Sequence, residues 1–516
     1  MKVKILLSCI VAVMIFPSCK DEWNDHFDSE QNKSDKSLLE LIDATPELSV
    51  FAQAVRIAGA DPLLASDQTY TVWAPDNVAL AGLDLNDVAA VSRMVNNHIA
   101  RFSNPTSQTG IVSMINGKTM RFSDADNFNG AHIDIPNIAA ANGLLHILSQ
   151  QIPYLYNIRE LIDADGRFAS LSEFIARFDE KIYDDALSTT YDSVFVDYNP
   201  LLENAKYGIG DISDEDSLFT MIIPSDEVWQ SEMERVMPAF RAYNADQNVA
   251  DSIQQVQTAQ AILGGLTFRG IIDEQADSLV SVTGQVIKPV NDYLSGYERV
   301  EASNGIIYIA SSSFNSNDTC VWNHVITTEA EEMDSRVAVS GTNCYIRNTD
   351  MNSLVQGVSA DSYLEASSGN VDGGVTFDVP NILATKYDVF VDFVNPIVDG
   401  GNLATEKTKC VFRLIYRGAN GRNSTMNVNT AVEITGVDAE GNRLPDIISV
   451  KAISGIAIPV SDFHDGLWLS DERNSAADVK STTTFQVSTR VNATDARNGY
   501  VRKFRIDKIR FVPVTE

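Results

Sequence analysis

Residues 461 to 474 read SDFHDGLWLSDERN, a stretch in which Phe463, His464, Asp465, Trp468 and Asp471 set aromatic rings beside carboxylates. That combination suits sugars: a flat ring stacks on a pyranose or furanose face while a carboxylate or amide accepts its hydroxyls. The competing reading is structural, with Leu467 and Trp468 plugging a core and the acids in water. Catalytic constellations have no comparable handle. There is no His-Glu-x-x-His, no Gly-x-Ser-x-Gly and no paired Cys-x-x-Cys, and the 6 histidines are scattered, which leaves metal hydrolysis and triad chemistry unsupported. Asn116-Gly117-Lys118-Thr119 has the ending of a phosphate loop, but no glycine stands five residues before Gly117, and a hairpin turn explains the stretch better. Among 70 acids, a carboxylate pair for glycoside cleavage is something only the fold could assemble. The expectation is a binding protein that is not an enzyme, with no cofactor and no metal.

The start of the chain says where such binding would take place. Lys2 and Lys4 precede an apolar run from Ile5 to Phe16, broken only by Ser8 and Cys9. This predicts a secretory signal peptide over residues 1–18, since the run falls short of the roughly 20 apolar residues that a membrane-spanning helix needs. Ser18 directly before Cys19 resembles a bacterial lipobox, with Phe16 and Pro17 departing from its usual residues. The resemblance implies acylation of Cys19 as the mature N-terminus, with residues 19–36 as a lipid-anchored tether; the alternative is a plain cleaved signal with an incidental cysteine. Lys20-Asp21-Glu22 resembles the surface-export signal of outer-membrane lipoproteins in glycan-foraging Gram-negative bacteria. It implies a body on the cell surface, held to the outer membrane by acyl chains worth about 0.8 kcal/mol per buried methylene.

A chain of 516 residues has room for several domains, and its formal charge of −31 argues against nucleic acid or a bare anionic membrane as partner, because phosphate backbones are bound by clustered Lys and Arg. Of 5 cysteines, Cys320, Cys344 and Cys410 belong to the mature body. That is no disulfide framework, and a single bridge between Cys320 and Cys344 stays open.

Internal repetition divides the body. Leu39–Asp43 (LELID) and Arg159–Asp163 (RELID) each precede a helical apolar pattern, Leu48, Phe51 and Val55 in the first and Phe168, Leu171, Phe174 and Phe178 in the second. QTYTVWAPDNVAL (68–80) and DSLFTMIIPSDEVW (216–229) then give a strand halted by Pro75 or Pro224, and NGLLHIL (142–148) and NGIIYIA (304–310) close each copy. Proline lacks the ladder donor and constrains its predecessor, so the chain turns there, and Asp76 or Ser225 is placed to cap the next short helix. Asn-Gly before an apolar run marks a tight turn into a buried strand. Trp73 should be buried on its strand.

YTVWAPDNVAL and NGLLHIL resemble the two signature stretches of fasciclin-like domains, MINGKTMRF (114–122) fits that family's hairpin, and His98 falls where the family keeps a histidine. The resemblance covers 37–155 as domain 1 and 157–327 as domain 2, where Arg269 replaces the histidine. It implies a compact β-rich wedge with helices, a role in adhesion or binding, and no catalysis. The Tyr-His pair credited with integrin contacts in some animal relatives is absent, since Asn97-His98 and Phe268-Arg269 stand there; His98 reads best as a partly buried structural residue.

After the acidic linker TTEAEEMDS (327–335) the chain becomes strand-rich: GVTFDVP (374–380), KYDVFVDFV (386–394), CVFRLIY (410–416), TTFQVSTRV (483–491) and KFRIDKIRFVPV (503–514). In the second of these Tyr387, Val389, Val391 and Phe393 share one face and Asp388 and Asp392 the other. The spacing predicts a β-sandwich over 335–516, similar in rhythm to galactose-binding-type jelly rolls, a resemblance that implies carbohydrate binding. The predicted fold class is thus α+β and all-β multidomain, two fasciclin-like domains followed by a sandwich able to fold alone. Two functions fit. One is a non-catalytic surface lipoprotein serving a nutrient importer of the starch-utilisation type, with a glycan or peptide ligand. The alternative is an adhesin contacting host matrix or other cells through its fasciclin domains.

Overall fold

A computed structural model describes residues 34–188, 192–205, 208–314, 324–399, 407–463 and 482–514. The expected signal peptide, Cys19, Lys20, Asp21 and Glu22 lie outside the described residues, as do Cys320, His464, Asp465, Trp468 and Asp471. The chain separates into two compact units, Met1–Leu155 and Tyr156–Glu516.

In the first unit a capping box starts the helix Leu38–Ala44: the Ser37 hydroxyl accepts from the Glu40 amide at 3.3 Å, and the Glu40 carboxylate accepts from the Ser37 amide at 2.8 Å. The next helix, Ser49–Ile57, turns Phe51, Ala54 and Val55 into the core. At the centre is the strand Tyr70–Pro75, buried along its whole length rather than alternately, because it has packed layers on both faces. Tyr70, Val72 and Ala74 join the helices, whereas Trp73 points into a second cluster with Phe122 and Phe128. The Trp73 ring lies 3.9 Å from that of Phe128 at an interplanar angle of 4°. Pro75 ends the strand as expected. Asp76 accepts from the Ala79 amide at 2.7 Å, but it closes a turn, not a helix. Among the described residues the sheet has seven strands, with Tyr70–Pro75 parallel to Gly143–Leu148 and antiparallel to Ile99–Arg101. The MINGKTMRF stretch forms the expected hairpin, Gly110–Ser113 against Thr119–Asp124.

The second unit opens by repeating this frame. Phe219–Pro224 runs parallel to Gly305–Ala310 and antiparallel to Thr267–Arg269, and Phe219 meets Gly305 and Arg269 just as Tyr70 meets Gly143 and Arg101. Both strand-opening glycines are obligatory. Gly143 and Gly305 have φ of 151° and 156°, and a Cβ would collide with the Tyr70 or Phe219 carbonyl oxygen. Asn157 with Glu160 rebuilds the capping box on Ile158–Ala164. Ser225 stands at the N-cap of Asp226–Val236 yet its hydroxyl makes no cap hydrogen bond and is buried without a partner, so the expected capping role fails there. The larger size of this copy comes partly from an exposed hairpin, Glu180–Tyr183 with Phe195–Tyr198, and from the 20-residue helix Gln247–Leu266.

Two antiparallel sheets then face each other over a core containing Val375, Phe377, Val389, Val391, Phe393, Phe412, Phe485 and Phe511. Among the described residues one sheet has five strands in the order Arg336–Ser340, Gly374–Asp378, Thr484–Thr489, Thr408–Arg417, Asn423–Ile434; Lys386–Val394 and Lys503–Pro513 lie in the other. This is the predicted sandwich, with Tyr387, Val389, Val391 and Phe393 inward, but it begins before the expected 335: Ile326–Glu329, which overlaps the expected linker, is a strand paired with Lys503–Pro513, and Ile326 and Ala330 lie in the core. The sandwich does not stand apart from the domain before it. Leu383 is buried within the preceding domain's core, and Phe463 packs edge-on against Phe240 at 5.3 Å. Ala384 N–H donates to Ala239 O at 2.7 Å and Ser461 N–H to Arg241 O at 2.8 Å. The expectation of a free-standing 335–516 is corrected on this ground: alone, it would expose Leu383 and Phe463 to water.

Candidate functional site

Of the loop residues expected to hold a sugar, Phe463 alone is described, and its ring is taken up against Phe240 while its carbonyl accepts from Gln257 Nε2 at 3.1 Å. It serves the join between domains rather than a ligand. His98 is fully buried, more completely than expected. Its Nδ1 is 2.7 Å from Met94 O, which only accepts, and its Nε2 receives the Ile152 N–H at 3.1 Å; the ring is therefore neutral with its proton on Nδ1. His146, stacked 5.4 Å from Trp73, accepts the Asn137 N–H at Nδ1 and donates from Nε2 to Asn104 O. Burial pushes both imidazoles down to about 4. Both are neutral at neutral pH, with both ring nitrogens taken up inside the protein. Cys344 and Cys410 are free thiols. Among the described residues no group of three or more His, Cys, Asp or Glu is arranged to hold a metal ion, and no helix is long and apolar enough to cross a membrane.

The outer faces of the two sandwich sheets differ in a way that singles one out. On the face carrying Asp388 and Asp392, charges answer one another. Arg510 grips Asp392 through Nε at 2.6 Å and a terminal nitrogen at 2.9 Å. Glu365 lies between Arg347 at 2.9 Å and Arg505 at 3.2 Å, which hold its carboxyl below the usual range although burial opposes its ionisation. Lys451 bonds Asp388 at 2.6 Å and lowers its pKa in the same way. The acids of this face are thus answered by their own cations.

The five-stranded sheet is paired at one end, where Lys409 bonds Asp495 and Glu433 accepts from the Tyr500 hydroxyl, but not across its middle. Its register sets Thr376 opposite Gln486, Gln486 opposite Arg413, and Arg413 opposite Asn427. Their neighbours Phe377, Phe485, Phe412 and Leu414 fill the core, so period-2 alternation turns all four outward. With strands about 4.8 Å apart, hydroxyl, amide, guanidinium and amide stand in a line roughly 14 Å long. Among the described residues none of the four side chains has a hydrogen-bond or ion-pair partner within the protein. Arg413 and Asn427 are exposed, and Thr376 and Gln486 half-buried. The next row, Thr484, Ile415 and Thr425, adds hydroxyls beside an aliphatic surface. Donors and acceptors mounted on strands and left unanswered by the protein are available to a polyhydroxylated chain, at the cost of fixing each side chain that binds. Sequence reading missed this row because it is drawn from four separate strands. The alternation in CVFRLIY, which puts Arg413 on the face opposite to Phe412 and Leu414, was the available signal.

Residues 46–153 match the family model described as Fasciclin domain. No match was found among the curated proteins. Among solved structures the chain is similar to the FAS1 domain pair of the insect cell adhesion molecule Fasciclin I, at 14% identity, 51% of this chain, 95% of that one and a TM-score of 0.19. It is similar also to the xylan-binding CBM22-1 domain of Paenibacillus barcinonensis Xyn10C, at 12% identity, 38% of this chain, 97% of that one and a TM-score of 0.22. A third likeness is to the C-terminal family 22 carbohydrate binding module of Clostridium thermocellum Xyn10B, at 10% identity, 35% of this chain, 96% of that one and a TM-score of 0.18. At such scores these structures add no argument, and the architecture rests on the chain's own strand registers and packed layers.

Proposed function

We propose that this chain is a non-catalytic glycan-binding lipoprotein of the outer-membrane surface, acting as an accessory to a nutrient importer of the starch-utilisation type. The observation that supports binding is the row Thr376, Gln486, Arg413 and Asn427, whose side chains have no partner within the protein, set against a second sheet whose outward acids are ion-paired. The surface location rests on the signal-like run before Cys19 and on Lys20-Asp21-Glu22. Lipid at the start of the chain and the ligand face near its end put two fasciclin-like domains between them in sequence, a spacer in this reading. A glycan array probed with the whole chain tests it. Retention of glycans supports the reading, and a blank array across neutral and acidic polysaccharides overturns it.

A further inference from the structure

Resting on that reading, we infer that the five-stranded face selects glycans bearing carboxylates, with Arg413 receiving a uronate and Gln486, Asn427 and Thr376 the hydroxyls around it. The chain carries 70 acids against 39 Lys and Arg, so a cation without a carboxylate is one that a surplus of acids has left alone. Elsewhere in the sandwich Arg347, Lys451, Arg490, Arg505 and Arg510 each have an acidic partner. On the strand of Arg413 itself, Lys409 is paired with Asp495 at 2.6 Å. Arg417 lies 5.4 Å from the Tyr243 ring centroid. Arg413 alone of these stands between two amides with its guanidinium uncommitted.

Charge along the sheet agrees. Its five strands hold Arg336, Lys409, Arg413 and Arg417 against Asp378 and Glu433, and even with Asp495 bound to Lys409 the sheet lacks the acidic surplus of a chain of net charge −31. The overall charge repels a polyanion at long range, but beyond about 8 Å that repulsion is screened at physiological salt. Contact then decides, and a guanidinium meets a carboxylate through two parallel hydrogen bonds that no sugar hydroxyl can reproduce. A row about 14 Å long is wider than one sugar ring, so the fitting ligand is a chain with an acidic unit near its middle.

Titration calorimetry on the whole chain with polygalacturonate, alginate and hyaluronate, each also in carboxyl-reduced form, decides the matter. The expected result is binding of at least one native uronate, weakened about tenfold or more by carboxyl reduction and by Arg413→Gln, with the melting curve unchanged and affinity partly restored by Arg413→Lys. Equal binding of native and reduced forms overturns the inference while leaving the glycan-binding reading in place. So does uronate binding that Arg413→Gln does not touch. Absence of binding to every native and reduced polymer, together with a blank array, overturns both.

Discussion

Asn142 and Asn304 hold the same place in the two fasciclin-like domains. Each carboxamide oxygen accepts the amide of the first residue of the opening helix, Leu38 at 2.8 Å and Ile158 at 3.0 Å. Each carboxamide nitrogen donates to two carbonyls before the central strand, those of Leu64 and Ser66 in one copy and of Ile212 and Asp214 in the other. One buried side chain thus ties helix, loop and closing hairpin together.

Replacing either asparagine should therefore strand several buried backbone groups. Asn304→Ala is expected to cost the second unit about 3 kcal/mol, and Asn142→Ala a similar amount in the first. Denaturant midpoints of the two variants check this, and a loss below about 1 kcal/mol would mean that water satisfies those groups.

Separate cores should unfold separately. Trp73→Ala removes the ring stacked on Phe128 and flanked by His146, and is expected to cost about 3 to 5 kcal/mol in the first unit alone. Phe463→Ala opens the join with Phe240 and should lower the second unit's transition, in which the second fasciclin-like domain and the sandwich melt together. Calorimetry of the whole chain reads both. A third transition in the unmutated chain would contradict the shared core.

Much of this architecture was legible because the repeat is written in local signals: a proline that halts each central strand, and an Asn-Gly that opens each closing one. The pattern of YDVFVDF likewise placed its inward and outward faces. Three things were not legible. Trp73 looked like one side of an alternating strand, yet Tyr70–Pro75 is buried on both faces, a consequence of layers contributed by distant segments. Phe463 looked like a loop aromatic, and only tertiary packing shows Phe240 beneath it. The Thr376–Asn427 row depends on the order in which four non-consecutive strands pair, which no local pattern encodes.

His98 and His146 make the first unit sensitive to mild acid. Folded, both stay neutral down to about 4, against 6.5 for an ordinary imidazole. Between those values the unfolded chain binds protons that the native state refuses, so stability is full above about pH 6.5 and falls as pH drops toward 4. The slope is on the order of 1.4 kcal/mol per pH unit for each histidine. Denaturation of the first unit at about pH 7 and pH 5 should show the drop, before most carboxylates titrate. His98→Gln should shrink it, and equal midpoints at the two pH values would show that these rings are reached by water.

Anchoring is tested at the other end of the chain. Cys19→Ala should release the protein from the membrane fraction, because acylation requires that thiol. Replacing Lys20, Asp21 and Glu22 by alanine should keep the lipid but lose protease accessibility on intact cells. Persistent membrane attachment in the first variant, or persistent exposure in the second, refutes the corresponding assignment.

The central claim is that ligand binds the outer face of the five-stranded sheet, and Gln486 tests it most directly, since its amide lies between Thr376 and Arg413 and props up nothing else in the protein. Titration of the whole chain with a glycan retained on the array should show Gln486→Ala binding about fivefold to tenfold more weakly, the worth of one or two hydrogen bonds, with an unchanged melting curve. Undiminished affinity in that variant would place the ligand elsewhere and contradict the account.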